Sequence, residues 1–323
     1  MKPIIVSGIQ PTGRLHLGNY LGALKNFVDL QNSGEYECFF FIADYHSITT
    51  EYDPGEKQKE ISDLMRSFLA VGLDPKKSNL FLQSAIPEHL ELAWIFNSVT
   101  PMGELSRMTQ YKEKSEKSGE NVGLFTYPVL QAADILIYDA DKVPVGEDQL
   151  QHVELTRLVA RKFNNRFGRV FKTPEAITTE APRLMSLDNP EKKMSKSLPS
   201  GCVYIDESPE EIKAKFVKAV TDSGDEVRYD EKNKPGVSNL LRIASSFSGK
   251  TMEETEKDLG GNRYGELKER VGNLVVDYFA QYRNKKAKTS SGAATKAFTR
   301  GGKRARKLAE NKMRTVRKSI GIS

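Results

Sequence analysis

Residues Ser7–Asn19 read S-G-I-Q-P-T-G-R-L-H-L-G-N. A short apolar run, Pro3 to Val6, precedes them and has the character of a first β-strand, and an amphipathic run, Tyr20 to Leu30, follows and has the character of a helix. The join between them holds Gly8, Gly13 and Gly18, one proline, one imidazole and two amides. Glycines allow a backbone to come close to a ligand, and a helix start presents unpaired N–H groups at the positive end of its dipole. A phosphate is the natural guest of such a turn. The spacing is neither that of the Walker loop nor G-x-G-x-x-G, so the stretch alone also fits a plain structural strand–turn–helix.

Working outward, Tyr36 to Ala43 (Y-E-C-F-F-F-I-A) reads as a strand buried on both faces, with Asp44, Tyr45 and His46 at its carboxyl end, where open α/β sheets hold their ligands. Pro54 and Gly55 open a helix to about Gly72. Asn79 to Gln83 is a third strand, and Pro87 starts a helix whose Trp94 is expected in the core. Gly103 to Lys114 reads as a helix with a basic end, and Ser115 to Asn121 as a polar loop. Phe125 to Asp139 is strongly apolar, yet Tyr127, Gln131 and Asp134 share one helical face within it. Asp134 has no basic residue within a turn, and a buried carboxylate needs a partner, so a distant segment or a ligand must supply one. Val143 to Gln149 is a short strand entering a helix that runs to about Phe167, and residues 168–182 read as irregular. Alternating strands and helices predict an α/β fold, a doubly wound parallel sheet of Rossmann-like type.

Arg183 to Ser197 (R-L-M-S-L-D-N-P-E-K-K-M-S-K-S) forms a basic, hydroxyl-bearing loop suited either to clamping a phosphate chain or to serving as an exposed linker. After Ser200 the periodicity is helical. Ser208-Pro209-Glu210-Glu211 and Thr251-Met252-Glu253-Glu254 are capping boxes, and Tyr264 to Arg283 and Lys296 to Ile320 are long helices. The pattern predicts two domains: residues 1–205, an α/β domain, and residues 206–323, an all-α C-terminal domain ending in a basic helix that packs through Ala309, Met313, Val316 and Ile320.

The 323 residues carry a net charge of +6. Thirteen Lys/Arg and one acid lie in residues 285–323, so the rest of the chain is net acidic. That concentration is the footprint of contact with a polyanion, or else a solvated basic helix. No apolar run approaches the length of a membrane span. Cys38 and Cys202 form no C-x-x-C pair, and the four histidines lack metal-ligand spacing, so no metal site is expected and a reducing cytoplasm fits.

His16-x-Gly18-Asn19 near the start, with Lys193-Met194-Ser195-Lys196-Ser197 downstream, resembles the paired signatures of the class I aminoacyl-tRNA synthetases. The longer runs S-G-I-Q-P-T-G-x-L-H-L-G-N-Y-L-G-A, G-E-L-x-R-M-T-Q-Y-K-x-K-S, A-A-D-I-L-x-Y, V-P-V-G-E-D-Q-x-Q-H-x-E-L-T-R, A-V-T-D-S and K-P-G-V-S-N-L-L are similar to the bacterial tryptophanyl branch of that class, over essentially the whole chain. The resemblance implies a homodimer that uses ATP and Mg2+ to join L-tryptophan to tRNA(Trp), with the helical domain contacting the anticodon. It implies an ATP site of Gln10, Pro11, Thr12, Gly18, Asn19, Gly146, Glu147, Asp148 and Leu184. The loop Lys193, Met194, Ser195, Lys196 and Ser197 would close on the triphosphate, with Lys114 as a further phosphate contact and His16 in a catalytic role. The same resemblance makes Asp134 the acceptor of the indole N–H, in a pocket completed by Val6, His46, Tyr127, Gln131, Val143, Val145 and Gln149. Gln131 and Val6 depart from the commoner methionine and phenylalanine, and a Gln-x-x-Asp pair also occurs in tyrosyl-tRNA synthetases. A tyrosine enzyme is therefore an alternative, as are a small-molecule nucleotidylyltransferase and a non-catalytic RNA-binding paralogue.

Overall fold

The computed structural model describes residues 2–108, 121–178 and 182–322. They form two compact units: Met1–Gly13, Asn26–Thr179 and Thr289–Ser323 make the first, and Arg14–Lys25 with Glu180–Lys288 the second.

The first unit is built on a five-stranded parallel sheet of order β3-β2-β1-β4-β5, with β1 Ile4–Ile9, β2 Glu37–Ile42, β3 Ser78–Leu82, β4 Lys142–Val145 and β5 Glu175–Thr178. The first three strands step one way from β1 and the last two step the other. The reversal lies between β1 and β4, so the loops after these two strands flank the crevice in which such sheets bind ligands. β2 (E-C-F-F-F-I) is apolar on both faces because both are covered. Phe40 stacks on Phe27 at 4.2 Å, and Phe39 on Tyr138 at 5.1 Å. Gly8 makes room inside the sheet: a Cβ there would lie 2.6 Å from the Phe41 ring.

β5 lies where irregular chain was expected. Its four residues, E-A-I-T, are partly or fully exposed, so no apolar run marks them. Trp94, expected in the core, is 78% exposed on α4 (Glu88–Asn97). The helix expected over Gly103–Lys114 is present as α5 (Met102–Ser106). Its later part, Lys114 included, and the loop before Asn121 lie outside the described residues.

The expected division into 1–205 and 206–323 is corrected at three places. The chain enters the second unit near residue 180, Arg14–Lys25 belongs to that unit, and the last helix, α13 (Ser291–Ile320), belongs to the first. The amphipathic face of α13 was legible, but its partner was not. Ala305, Ala309, Met313 and Val316 are fully buried, and Gly301 lies against the edge strand β3. A Cβ on Gly301 would sit 2.1 Å from the Leu80 carbonyl oxygen and 2.7 Å from its nitrogen. Backbone cannot yield as a flexible side chain can, so Gly301→Ala should cost about 3 kcal/mol, read as a lower midpoint in thermal or urea unfolding.

The second unit gathers α8 (Pro209–Val217), α9 (Pro235–Ser248), α10 (Met252–Leu259), α11 (Tyr264–Tyr278) and α12 (Ala280–Lys288). The boxes at Ser208/Glu211 and Thr251/Glu254 cap α8 and α10 as their spacing predicts. The helix expected over Tyr264–Arg283 is two, α11 and α12. Tyr20 joins this unit through Phe279, at 4.9 Å, and a 2.9 Å hydrogen bond between its hydroxyl and that of Tyr278. Residues 184–205 join it because the Asn239 side chain brackets the Met185 backbone with two 2.9 Å bonds, and Val220 N donates to Leu187 O at 2.7 Å.

Candidate active site

The second unit holds both signature segments. His16 caps α1 (Leu17–Asn19): its Nδ1 accepts from Gly18 N at 3.1 Å, while Asn19 Oδ1 accepts from His16 N at 3.2 Å. Antiparallel bonds tie this turn to residues 203–205, Leu17 N to Val203 O at 3.1 Å and Ile205 N to Leu15 O at 3.0 Å. The lysine loop is a tight hairpin, with Met194 N donating to Leu184 O at 2.9 Å and Ser186 N to Lys192 O at 2.8 Å. Met194 and Leu184 are its buried anchors. Lys193 is exposed, Lys196 half-buried, and the Ser195 and Ser197 hydroxyls bond at 2.8 Å.

Burial first, then the charges of Lys196 and Lys193, bring the His16 imidazole down to about 4. His16 is therefore neutral at pH 7. Because Nδ1 accepts from a backbone N–H, its proton is on Nε2, which makes the ring a neutral donor. Positive potential comes from the lysines.

The first unit holds the other candidate residues. Gln10, Pro11 and Thr12 follow β1, and Lys57 Nζ donates to the Pro11 carbonyl at 2.8 Å. Gly146, Glu147, Asp148 and Gln149 follow β4, the last three as a single 3-10 turn. Val6, Val143 and Val145 are buried strand residues. Gln131 is half-buried on α6 (Val122–Leu136), one turn before Asp134. The Tyr127 hydroxyl bonds His152 Nε2 at 2.9 Å, and burial pushes it up to about 12.

Asp134 finds its partners in distant segments. Gln83 Nε2 donates to both carboxylate oxygens, at 2.8 and 2.9 Å. His89 Nδ1 lies 2.5 Å from Oδ1, and His46 Nε2 lies 2.8 Å from Oδ2. Burial alone would raise this carboxyl, but the bonds and charge of His46 and His89 outweigh it and hold the group at about 2. His46 and Tyr127 also meet, with ring centroids 6.2 Å apart. The structure thus places His46 against both Asp134 and Tyr127. It adds Gln83, His89 and Tyr138, which the sequence reading missed. The signal for Gln83 was a polar residue at the carboxyl end of a buried strand, whereas His89 had none.

Residues 1–280 match the family of class I tRNA synthetases for W and Y, and the chain belongs to that family. It is 46% identical over 322 residues to the tryptophan–tRNA ligase of Caldanaerobacter subterraneus, covering 98% of both chains. Among solved structures it is similar to the tryptophanyl-tRNA synthetase of Mycoplasma pneumoniae, with a TM-score of 0.88, 34% identity and coverage of 100% of this chain and 99% of that one. It is also similar to the Campylobacter jejuni enzyme complexed with ADP and tryptophan, with a TM-score of 0.85, 38% identity and coverage of 98% and 99%.

Proposed function

We propose that this chain attaches L-tryptophan to tRNA(Trp), consuming ATP and releasing AMP and pyrophosphate through a tryptophanyl-adenylate. The observation that carries the reading is the buried carboxylate of Asp134 in the α/β unit of a chain of this family. Indole has one polar atom, an N–H donor, and a buried anionic acceptor is its simplest selective receptor. The valines at positions 6, 143 and 145, with His46, Tyr127, Gln131 and Gln149, complete that receptor.

In the first step the tryptophan carboxylate attacks the α-phosphorus and pyrophosphate leaves. The attacking group is already ionised, so no general base is required, and catalysis consists of positioning and charge stabilisation. The His16 Nε2–H donates to the phosphate chain, Lys193 and Lys196 offset its growing charge, and Lys114 adds a further contact. Gly18, Asn19 and Leu184 of the second unit, and Gln10, Pro11, Thr12 and residues 146–148 of the first, are the residues that the resemblance assigns to the nucleotide. Magnesium comes with the nucleotide. In the second step a ribose hydroxyl of the tRNA attacks the adenylate carbonyl and AMP leaves.

The deciding experiment is ATP–pyrophosphate exchange with tryptophan and tyrosine side by side. Exchange with tryptophan supports the reading, and exchange with tyrosine alone, or with neither, refutes it.

The tRNA would contact the exposed face of α13. Lys303, Arg304 and Arg306 are exposed there. Replacing all three by alanine should reduce the slope of log affinity against log salt by about 2, measured by tRNA filter binding; an unchanged slope counts against the role. The working form is a cytoplasmic homodimer. Leu90 and Trp94, one turn apart on α4, are 41% and 78% exposed and suit burial against a second copy. Trp94→Glu should therefore shift the sedimentation coefficient from dimer to monomer.

A further inference from the structure

We propose that His89 is a positioning residue for tryptophan recognition: it holds Oδ1 of Asp134 so that Oδ2 is the oxygen offered to the indole N–H. This rests on the assignment of Asp134 as the indole acceptor.

The argument starts from how each donor is itself held. His89 is fully buried. Its Nδ1 faces Asp134 Oδ1 and its Nε2 lies 2.7 Å from the Tyr138 hydroxyl. An ionised carboxylate only accepts, so Nδ1 must donate, while Nε2 is held by the Tyr138 hydroxyl, which can donate or accept. The ring is packed among Phe41, Phe81 and Tyr138, with centroids at 6.2, 6.3 and 5.5 Å. With both nitrogens bonded and the ring packed, it has no freedom to turn. Gln83 is oriented in the same way: its Oε1 accepts from Tyr45 N at 3.1 Å, which forces Nε2 toward Asp134. Gln83 spans both carboxylate oxygens, so it cannot distinguish them. His89 takes Oδ1 from the fully buried side. Oδ2 accepts from His46 as well as from Gln83, and His46 stands in the turn beyond the carboxyl end of β2, the end of the sheet where ligands bind, so His46 is the donor that gives way to the indole N–H. The buried polar chain Tyr138–His89–Asp134 therefore decides which oxygen is spent on the fold and which on the substrate.

The test compares tryptophan with its analogue in which sulfur replaces the indole N–H, as the ratio of their kcat/KM values in pyrophosphate exchange. A purely structural defect lowers both substrates together, whereas loss of a positioned acceptor lowers tryptophan alone. His89→Leu should reduce the ratio about tenfold or more, and Tyr138→Phe about threefold. His89→Asn, whose amide places a donor near the position of Nδ1, should restore most of it. Asp134→Asn serves as the reference. If it leaves the ratio unchanged, Asp134 is not the indole acceptor and the underlying reading fails. If Asp134→Asn collapses the ratio while His89→Leu and Tyr138→Phe leave it intact, the positioning role is overturned. Should His89→Leu fail to fold, Tyr138→Phe, which keeps the ring, decides alone: an unchanged ratio overturns the role.

Discussion

Replacing Lys193 and Lys196 together by alanine should slow adenylate formation by about 10²–10³-fold, with little change in the KM for tryptophan. The two ammonium groups belong to one hairpin, anchored by Met194 and by backbone bonds to Leu184 and Ser186. Alanine leaves the anchor intact and removes only the charge that offsets the leaving pyrophosphate. Single-turnover exchange measures the effect, and a change confined to the KM for tryptophan would contradict the assignment. The same variant carries a second signature. Burial and these lysines together hold His16 at about 4, below its ordinary 6.5. Because the folded value lies below the unfolded one, the unfolded chain binds more protons between these limits. The contribution of His16 to stability is therefore complete above about pH 6.5 and is lost as the pH falls toward 4. Thermal midpoints of the wild type should rise with pH across that window. The double variant should show a smaller rise, since only burial then depresses the imidazole.

Asp134→Ala should be the most damaging single change. It should abolish tryptophan-dependent exchange and lower stability by about 3 kcal/mol. The side chain is 2% exposed, and its removal leaves donors on Gln83, His46 and His89 facing a cavity. Stranded donors in a dry interior cost more than the bonds they once made were worth. Urea unfolding gives the stability change and active-site titration gives the activity. A variant as stable as the wild type would mean that the three donors find other partners. The sign of the acid response also follows. The carboxyl is depressed to about 2 from an ordinary 3.8, so its contribution is full above the latter value and disappears as the pH falls through the former.

Much of this was legible in one dimension because the determinants are local. The caps at Ser208 and Thr251, the apolar run of β2 and the turn at His16 each depend on residues within a few positions of one another. Asp134 stood out for a local reason too, as a carboxylate on an apolar helix without a basic neighbour. What escaped is long-range. His89 and Gln83 lie 45 and 51 residues from Asp134, and nothing around them in the chain signals that they converge on it. β5 escaped because a short, exposed edge strand needs no apolar face. The domain boundary was misjudged because amphipathicity shows that α13 packs without showing on what.

The placement of α13 also bears on how the molecule is made. Synthesis is directional, and domains generally fold as they emerge. Here β3 must wait for the helix that covers it, more than two hundred residues later in the chain. Through that interval the nascent sheet presents an unprotected strand edge, the kind of surface that recruits other chains. The sheet-bearing unit can be completed only after the helical unit has been synthesised, which makes residues 291–320 a late latch on an early fold.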